Sequence, residues 1–229
     1  MKLTNRTLVI MAKAPRPGSV KTRLAESLSG EAVTELYRCL LNDTIALAQA
    51  LEKVEVVLMC PAFDAEDLSS GVPKAVRIVP QTGQGLAAGL ASVFAHCATS
   101  AHERVIAFNS DSPHLPASVL DMAFDLLDCR DLVVGPTNDG GYYLVGARAS
   151  HPGLFTGDGM GTGNALETLL ARARALGLTT HLTDPFYDID VAADLCQLAK
   201  ELEGVPGKAP RTAKWLSDWV SAGCGKGRR

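Results

Sequence analysis

The sequence has few of the features that would bring a chain to a membrane or to nucleic acid. No apolar run approaches the roughly 18 residues that a membrane span requires, and the apolar stretch at residues 8–12 is too short for the core of a signal peptide. The 22 lysines and arginines are outnumbered by 25 aspartates and glutamates, which gives a formal net charge of −3. We therefore predict a soluble, cytoplasmic protein that has neither a membrane nor a nucleic acid as its partner.

The cysteines also lack the spacing of a metal or redox site. Six cysteines are scattered along the chain, and no two of them form a C-x-x-C pair. A disulfide framework, a thiolate zinc site and a redox motif therefore have no support. With 47% hydrophobic and 21% charged residues, the composition is that of an ordinary globular protein. The length of 229 residues predicts one domain, which at this size can bury a core without covalent staples.

What the sequence does contain is an alternation of short β-branched runs and longer amphipathic segments. This alternation predicts a single-domain, three-layer α/β sandwich with a mainly parallel, mixed sheet. The predicted strands cover residues 7–11, 54–60, 75–79, 104–108, 132–135, 142–146 and 178–182, and the predicted helices cover residues 31–51, 86–97, 116–127, 164–176 and 191–203. We expect residues 1–203 to form the domain, and residues 204–229 to form a linker, a short amphipathic helix and a basic tail.

Unusual segments follow several of the predicted strands, at residues 12–24, 81–86, 109–116 and 136–141. In open α/β sheets, ligands bind beyond the carboxyl ends of the strands. These segments therefore predict the location of a site before any chemistry is assigned to it.

The first of these segments, the basic loop at residues 12–24, carries four cations and no acidic residue. The cations are Lys13, Arg16, Lys21 and Arg23. Basic side chains at a strand-to-helix turn suit a polyphosphate, and Gly18 gives the loop backbone freedom. Neither standard phosphate motif is complete. Val20 stands where a Walker A loop has glycine, and the dinucleotide-binding pattern G-x-G-x-x-G cannot form because the loop holds a single glycine. The alternative is a solvated loop whose cations have no ligand; in either case a loop cation should add little to stability.

Acidic residues dominate two other segments. Asp111 directly follows a predicted strand, where a carboxylate can help to hold Mg²⁺ or Mn²⁺ on phosphate oxygens. Asp188 and Asp190 have strand spacing, so their side chains share one face. The structural alternatives are a turn or cap for Asp111 and a helix N-cap for Asp190. His114 has no partner in the pattern, and we expect a structural role for it.

A glycine-rich turn is predicted between the strands at residues 132–135 and 142–146. It contains Asp139, Gly140 and Gly141, which fit a plain hairpin turn. The functional alternative is a glycine floor against which a ligand can lie. The other glycine-rich runs, at residues 83–85 and 159–163, are interpreted as flexible loops.

Four motifs carry a resemblance to a known family. They are Ala12-Lys13-Ala14-Pro15-x-Pro17-Gly18-x-Val20-Lys21-Thr22-Arg23-Leu24, Ser110-Asp111-Ser112-Pro113-x-Leu115, Gly135-Pro136-x-x-Asp139-Gly140-Gly141-Tyr142-Tyr143-Leu144-x-Gly146 and Tyr187-Asp188-x-Asp190-x-x-x-Asp194-Leu195. In this order they resemble a bacterial family of glycosyltransferase-A-fold transferases, which are nucleotide-diphospho-sugar transferase-like and associated with arsenosugar genes. The element Lys-Thr-Arg-Leu is also similar to the phospholactate and phosphoenolpyruvate guanylyltransferases of deazaflavin-cofactor synthesis.

The resemblance implies a glycosyltransferase-A-type fold and a divalent metal between Asp111 and the pair Asp188 and Asp190. It implies catalytic roles for Lys21, Arg23 and Asp111. The nucleotide- and phosphate-binding residues that it implies are Ala12, Lys13, Arg16, Gly18, Lys21, Arg23, Gln81, Gly85, Asp139, Gly140 and Gly141.

The chain departs from the family pattern in two places. The family has Leu-Gly-Glu-Arg-Met where Leu86-Ala87-Ala88-Gly89-Leu90 stands, and this departure concerns recognition of the base. The family also has Trp-x-Thr where Met160-Gly161-Thr162 stands, and this one concerns the acceptor pocket.

We expect a Mg²⁺- or Mn²⁺-dependent nucleotidyltransferase, which joins a nucleoside monophosphate from a triphosphate to a small phosphorylated or anionic acceptor and releases pyrophosphate. Two alternatives stay open: a glycosyltransferase with a nucleotide-sugar donor, and a non-catalytic nucleotide-binding protein. Charge matching favours the first function, because a triphosphate needs more counter-charge than a diphosphate. In addition, Asn109 stands where a glycosyltransferase would typically have a second acid, two residues before Asp111.

Overall fold

The computed structural model contains a mixed sheet of seven strands and describes residues 5–100, 104–157 and 163–223. The strands are β1 (Arg6–Met11), β2 (Glu55–Cys60), β3 (Arg77–Pro80), β4 (Arg104–Asn109), β5 (Leu132–Pro136), β6 (Tyr142–Ala147) and β7 (Thr180–Leu182). Their order in the sheet is β3-β2-β1-β4-β6-β5-β7. Strand β6 runs antiparallel to β4 and β5, and the other pairings are parallel. The predicted fold class is confirmed.

Seven α-helices accompany the sheet in the described part of the chain. They are α1 (Gly30–Gln49), α2 (Ala65–Ser69), α3 (Gly85–Ser100), α4 (Ala117–Leu126), α5 (Ala165–Ala175), α6 (Ala192–Leu202) and α7 (Pro210–Ser221). Two 3-10 helices, Thr22–Glu26 and Ala62–Asp64, lie in the loops after β1 and β2. Helix α2 and the 3-10 helices were not predicted, because segments this short show no helical periodicity. None of the helices in these ranges has the length and apolarity needed to cross a bilayer.

The two faces of the sheet form two separate hydrophobic clusters, because alternate strand residues point to opposite sides. In β1, Leu8 and Ile10 join the side chains of α1, α2 and α4, whereas Val9 joins those of α3 and α5. All three are buried, and full burial of such a side chain contributes roughly 1.5–3 kcal/mol. This packing produces the three predicted layers.

A third cluster joins α1 to α6 and α7 on the side of α1 that faces away from the sheet. The carboxylate of Asp43, which is buried in α1, accepts hydrogen bonds from the Thr212 amide at 2.8 Å and from Arg211 Nη1 at 3.2 Å. Asp43 therefore supplies acceptors to the first turn of α7, where backbone amides have no partner within the helix. The C-terminal helix is thus held by both apolar and polar contacts.

The carboxyl ends of the parallel strands and the amino end of β6 meet at one edge of the sheet. The segment after β7 turns back along this edge, since the Phe186 amide donates to the Pro136 carbonyl at 3.0 Å. This course brings residues 187–190 towards the ends of β1 and β4. Acidic residues that are far apart in sequence therefore meet there.

Candidate functional site

The centre of the site is the side chain of Lys21, which lies between two carboxylates from distant parts of the chain. Its Nζ forms ion pairs with Asp111 and, at 3.1 Å, with Asp190 Oδ1. The second oxygen of Asp190 accepts from Arg23 Nη1 at 3.1 Å. Only 8% of the Lys21 side chain is exposed, compared with 65% for Arg23. The structure thus brings together the three residues for which catalytic roles were predicted.

The protonation state and the backbone of Lys21 both follow from this position. Burial by itself lowers the pKa of Lys21, but the charges of Asp111 and Asp190 outweigh burial and raise it above its ordinary value. The ammonium group therefore stays charged. Lys21 also has a left-handed backbone, with φ of 47°, which is uncommon for a residue with a Cβ atom. Such backbone strain persists where the surrounding contacts compensate for it, as the two ion pairs do here.

Asp188 lies beside this centre and is held by an amide. Asn109 Nδ2 donates to Asp188 Oδ1 at 3.3 Å and to Ser112 Oγ at 2.8 Å. Burial raises the pKa of Asp188 to about 7, and the nearby charges of Asp111 and Asp190 act in the same direction. The three acidic side chains therefore crowd one another, and an added cation would relieve their repulsion.

The donor set fits a hard divalent cation that also binds a substrate. In the described ranges, no group of three or more His, Cys, Asp and Glu side chains forms a complete metal site. Mg²⁺, however, is usually held by only one or two carboxylates, with water and substrate phosphates completing its coordination. Asp111 and Asp190 already share one cation, the ammonium group of Lys21. These two carboxylates are therefore close enough together to hold one ion.

The structural alternatives for the two acidic residues do not match the structure. The carboxylate of Asp194, rather than that of Asp190, accepts from the amides of Asp190 and Val191, both at 2.8 Å, at the start of α6. At the start of α4 the N-cap residue is Pro116, and Asp111 is paired with Lys21. Asp111 and Asp190, two of the three predicted metal ligands, thus do not cap these helices.

A buried tyrosine joins the basic loop to the segment after β4. Tyr37, from α1, shares a 2.9 Å hydrogen bond with Ser110, and its hydroxyl oxygen accepts from the Lys13 amide at 3.2 Å. Burial raises the pKa of this tyrosine to about 12, so that it stays neutral. The sequence places Tyr37 within the predicted helix at residues 31–51 but does not single it out as a site residue. Its hydroxyl group was the available signal.

A cavity of about 1020 Å³ opens next to this centre, along the ends of β1, β2 and β3. The predicted site residues that line it are Ala12, Lys13, Lys21, Arg23, Gln81, Gly85, Asp111 and Asp190. Its lining also includes Met59, Phe63 and Gln84, which the sequence did not single out. Most of the predicted phosphate-binding residues are therefore gathered around one space.

Arg16 and Gly18 are not among the residues that line the cavity. The guanidinium of Arg16 pairs with the buried Asp64, and its Nε donates to Asp67 at 2.8 Å. Unlike Lys21 and Arg23, Arg16 is paired with carboxylates that do not line the cavity either, so the geometry gives no support to the phosphate-binding role predicted for it. Gly18 has φ of 75° and supplies a left-handed turn in the loop.

The turn between β5 and β6 has the hydrogen bonds of a plain hairpin turn, one of the two interpretations that the sequence left open. Asp139 Oδ1 accepts from Thr137 Oγ1 at 2.6 Å and from the Gly141 amide at 3.2 Å, as in a hairpin turn. Gly140 has φ of 87°, and a Cβ atom there would lie 2.0 Å from the carbonyl oxygen of Gly163. These glycines are thus required by packing within the protein. The predicted departure at residues 160–162 lies outside the described residues.

His114 has the structural role that was expected for it. It is fully buried, with ring centroids 4.7 Å from those of both Phe186 and Tyr187. Neither of its ring nitrogens has a hydrogen-bond partner within the described residues. Burial lowers the pKa of His114 to about 4, so the ring is neutral. Its ring contacts support the segment that carries Asp188 and Asp190.

Comparison with known proteins finds three to which the chain is similar in sequence or in structure. The chain is 29% identical to 2-phospho-L-lactate guanylyltransferase of Methanothermobacter thermautotrophicus over 189 residues, which is 80% of each protein. A crystal structure of a candidate nucleotide-diphospho-sugar transferase from Desulfovibrio desulfuricans G20 has a TM-score of 0.88 at 24% identity, and the match covers 95% of this chain and 96% of that one. The structure of the 4-diphosphocytidyl-2C-methyl-D-erythritol synthase of Anaerococcus prevotii has a TM-score of 0.58 at 12% identity. The match covers 88% of this chain and 98% of that one.

The two structures show that the fold is the predicted nucleotide-diphospho-sugar transferase type. The guanylyltransferase and the nucleotide-diphospho-sugar transferase are named as transferases, in agreement with the prediction that this chain is one. A family model matches residues 44–162, more than half of the chain. The resemblance that the motifs indicated is thereby confirmed, and the chain belongs to the family described as "uncharacterized protein conserved in bacteria" (DUF2064).

Proposed function

We propose that the chain is a Mg²⁺- or Mn²⁺-dependent nucleotidyltransferase that uses a nucleoside triphosphate and a small anionic acceptor. The observation that carries this proposal is the position of Lys21, paired with both Asp111 and Asp190 at the mouth of a large cavity. Cations and acidic residues in one place suit a ligand that brings both phosphate charge and a metal ion.

The cations favour a triphosphate over a diphosphate. Lys13, Lys21 and Arg23 all line the cavity, and Arg23 is largely exposed. When a polyphosphate binds, Lys21 and Arg23 can transfer their ion pairs from Asp190 to phosphate oxygens. Charge-assisted hydrogen bonds of this kind are about twice as strong as neutral ones, and three cations match the charge of a triphosphate better than that of a nucleotide sugar.

Asp111 and Asp190 are the residues that would hold the divalent cation, with Asp188 next to them. When bound, this ion would offset negative charge on the phosphate oxygens. The protein's contribution is to hold the two carboxylates on separate, well-anchored segments. Asn109 orients Asp188, and Asp194 fixes the backbone at Asp190.

The reaction proposed is an in-line displacement at the α-phosphorus. An oxygen of the acceptor forms a bond to this phosphorus, the bond to the oxygen that bridges the α- and β-phosphates breaks, and pyrophosphate leaves with the electron pair. Lys21 and Arg23 would stabilise the charge that develops on the departing pyrophosphate. Such transfers depend on positioning and electrostatics, so no covalent nucleophile is required.

Turnover provides the test. The relative that is a guanylyltransferase makes GTP the first nucleotide to try, with pyrophosphate release measured against a panel of phosphorylated and carboxylated acceptors. Asp111→Asn and Asp190→Asn should abolish Mg²⁺-dependent release, because Asn keeps the size of the side chain but removes the charge that holds the ion. Asp218→Asn, on the exposed face of α7, is the matched control. Turnover within threefold of the parent in both site variants would contradict the proposal.

A further inference from the structure

The cavity has two chemically different halves. The half formed by the loop after β1 carries the cations Lys13, Lys21 and Arg23. The half formed at the ends of β2 and β3 is mainly apolar and contains Met59, Pro61, Ala62, Phe63 and Leu86. A nucleotide has the same division, with anionic phosphates at one end and a planar, largely apolar base at the other.

Phe63 stands out within the apolar half. It is 75% exposed, more than any other large hydrophobic residue in the described part of the chain, and Leu86, which lines the same cavity, is 43% exposed. Exposure of a large aromatic side chain to water is unfavourable in the absence of a ligand. Its place at a cavity indicates that a ligand covers it.

Phe63 is also held in place by its neighbours. The Arg16 guanidinium lies over the Phe63 ring, 5.9 Å from its centroid, and Arg16 Nη2 donates to the Phe63 carbonyl at 3.3 Å. Arg16 is in turn fixed by Asp64 and Asp67, and Asp64 accepts from the Ala14 amide at 3.1 Å. Because the aromatic ring is held before a ligand arrives, binding would lose little conformational entropy.

One polar side chain of this half, that of Gln81, is already engaged within the protein. Gln81 Nε2 donates to the carbonyls of Gly83 and Gly85, at 3.1 and 3.3 Å. A Cβ atom at Gly89 would lie 2.7 Å from Gln81 Oε1, so this glutamine packs closely against α3. No lysine, arginine, aspartate or glutamate lines this half among the described residues. Besides the amide of Gln84, this half therefore offers a planar group mainly apolar surface on which to stack.

We propose that Phe63 is the aromatic wall on which the nucleobase stacks, and that Arg16 positions Phe63 instead of contacting phosphate. This inference rests on the proposed use of a nucleotide, and it assigns base affinity and phosphate affinity to different residues of one cavity. The role of positioning Phe63 is compatible with the pairing of Arg16 with Asp64 and Asp67.

Calorimetric titration of the full chain with GTP, CTP and inorganic tripolyphosphate, each with Mg²⁺, tests the proposal. Phe63→Ala should weaken GTP and CTP binding by about 5- to 100-fold, the range for loss of a base–aromatic stack. Its affinity for tripolyphosphate should stay within twofold of the parent, and Phe63→Trp should retain nucleotide binding. Leu176→Ala is the control, because Leu176 is another exposed large hydrophobic residue, at 43%, but does not line the cavity.

Arg16→Lys separates a positioning residue from a phosphate contact. Lysine keeps the charge next to Asp64 but cannot make the same set of contacts to Asp64, Asp67 and the Phe63 carbonyl. GTP affinity should therefore fall while tripolyphosphate affinity does not change. An equal loss for both ligands would overturn the role assigned to Arg16.

Nucleotide affinities of Phe63→Ala within twofold of the parent would overturn the stacking proposal, whatever the activity of the enzyme. If the parent binds nucleotide sugars but not triphosphates, the proposed function fails, yet Phe63→Ala must still weaken nucleotide-sugar binding for the stacking proposal to stand. A parent that binds no nucleotide would overturn both.

Discussion

At the level of single residues, Lys21 has two roles that compete. It compensates Asp111 and Asp190 in the free protein, and it is the most buried of the cations that a triphosphate would meet. Under the proposed function, a divalent cation bound with the nucleotide would take the place of the ammonium group between the carboxylates. Lys21 would then pair with phosphate, and the same residue would stabilise both states.

Lys21→Met should destabilise the free protein, although a loop cation was expected from the sequence to add little to stability. The substitution leaves two partly buried carboxylates without their shared cation, and we expect a loss of about 1–3 kcal/mol in the free energy of unfolding. Urea denaturation in the presence of EDTA measures it. Arg23→Met, at a position that is 65% exposed, should cost far less. Equal stability of the parent and the Lys21 variant would show that the ion pairs contribute nothing.

The same variant should change metal and nucleotide affinity in opposite directions. Without the ammonium group as competitor, Lys21→Met should bind Mn²⁺ several-fold more tightly than the parent when no nucleotide is present. Triphosphate binding should weaken by about 1.5–3 kcal/mol, the scale of a hydrogen bond to a charged group. Electron paramagnetic resonance of Mn²⁺ and calorimetry of GTP give the two values. Weaker Mn²⁺ binding in the variant would contradict the exchange of Lys21 for a metal ion.

At the level of elements, the segment after β7 delivers Asp188 and Asp190, and it rests on His114. This histidine stays neutral in the folded protein until about pH 4, whereas in the unfolded chain it binds a proton near pH 6.5. The unfolded state therefore binds more protons between these values. The stability contributed by the neutral ring is fully present above pH 6.5 and is lost as the pH falls towards 4.

His114→Leu should remove this acid sensitivity. Between pH 7 and pH 5, the parent should lose about 2 kcal/mol more unfolding free energy than the variant. Denaturant titrations across that range provide the measurement, with His181→Leu as a control on the partly exposed strand β7. Parallel pH profiles for the parent and His114→Leu would show that His114 does not titrate as its burial implies.

Helix α7 depends on a carboxylate in α1. Asp43→Asn keeps one acceptor but loses the charge that faces Arg211 and the first turn of α7. We expect a loss of about 1–2 kcal/mol in unfolding free energy, with GTP affinity unchanged because Asp43 does not line the cavity. A variant with parent stability, or with altered nucleotide binding, would contradict this separation of structure from function.

The strands and helices were largely predictable from the sequence, whereas the side-chain contacts between them were not. Periodicity located the strands and the longer helices, since each buries a face with a regular repeat. Arg16 and Lys21 look alike in the basic loop, and only folding places Arg16 beside Asp64 and Lys21 beside Asp111. In the same way, the sequence allowed Asp190 as the cap of α6, and only the folded structure shows that the carboxylate of Asp194 accepts from the amides at the start of this helix.

At the level of the whole molecule, the order of the strands creates the site. Strands β1, β2 and β3 end at the cavity, while the end of β4 and the segment after β7 carry the acidic residues of the site. The predicted assignment of residues 1–203 to the domain stays a prediction, although the packing of α7 on α1 joins the C-terminal helix to the rest of the protein. Binding of a nucleotide at this edge would link all of these segments and should raise stability as a whole.

Ligand-dependent thermal stability tests the central claim most directly. GTP and CTP with Mg²⁺ are compared with nucleotide sugars under the same conditions and with EDTA in place of the metal. A triphosphate at 100 times its dissociation constant should stabilise the protein by about 2.7 kcal/mol, more than any nucleotide sugar, and EDTA should reduce the effect. A shift in melting temperature with nucleotide sugars alone would contradict the account and favour a glycosyltransferase.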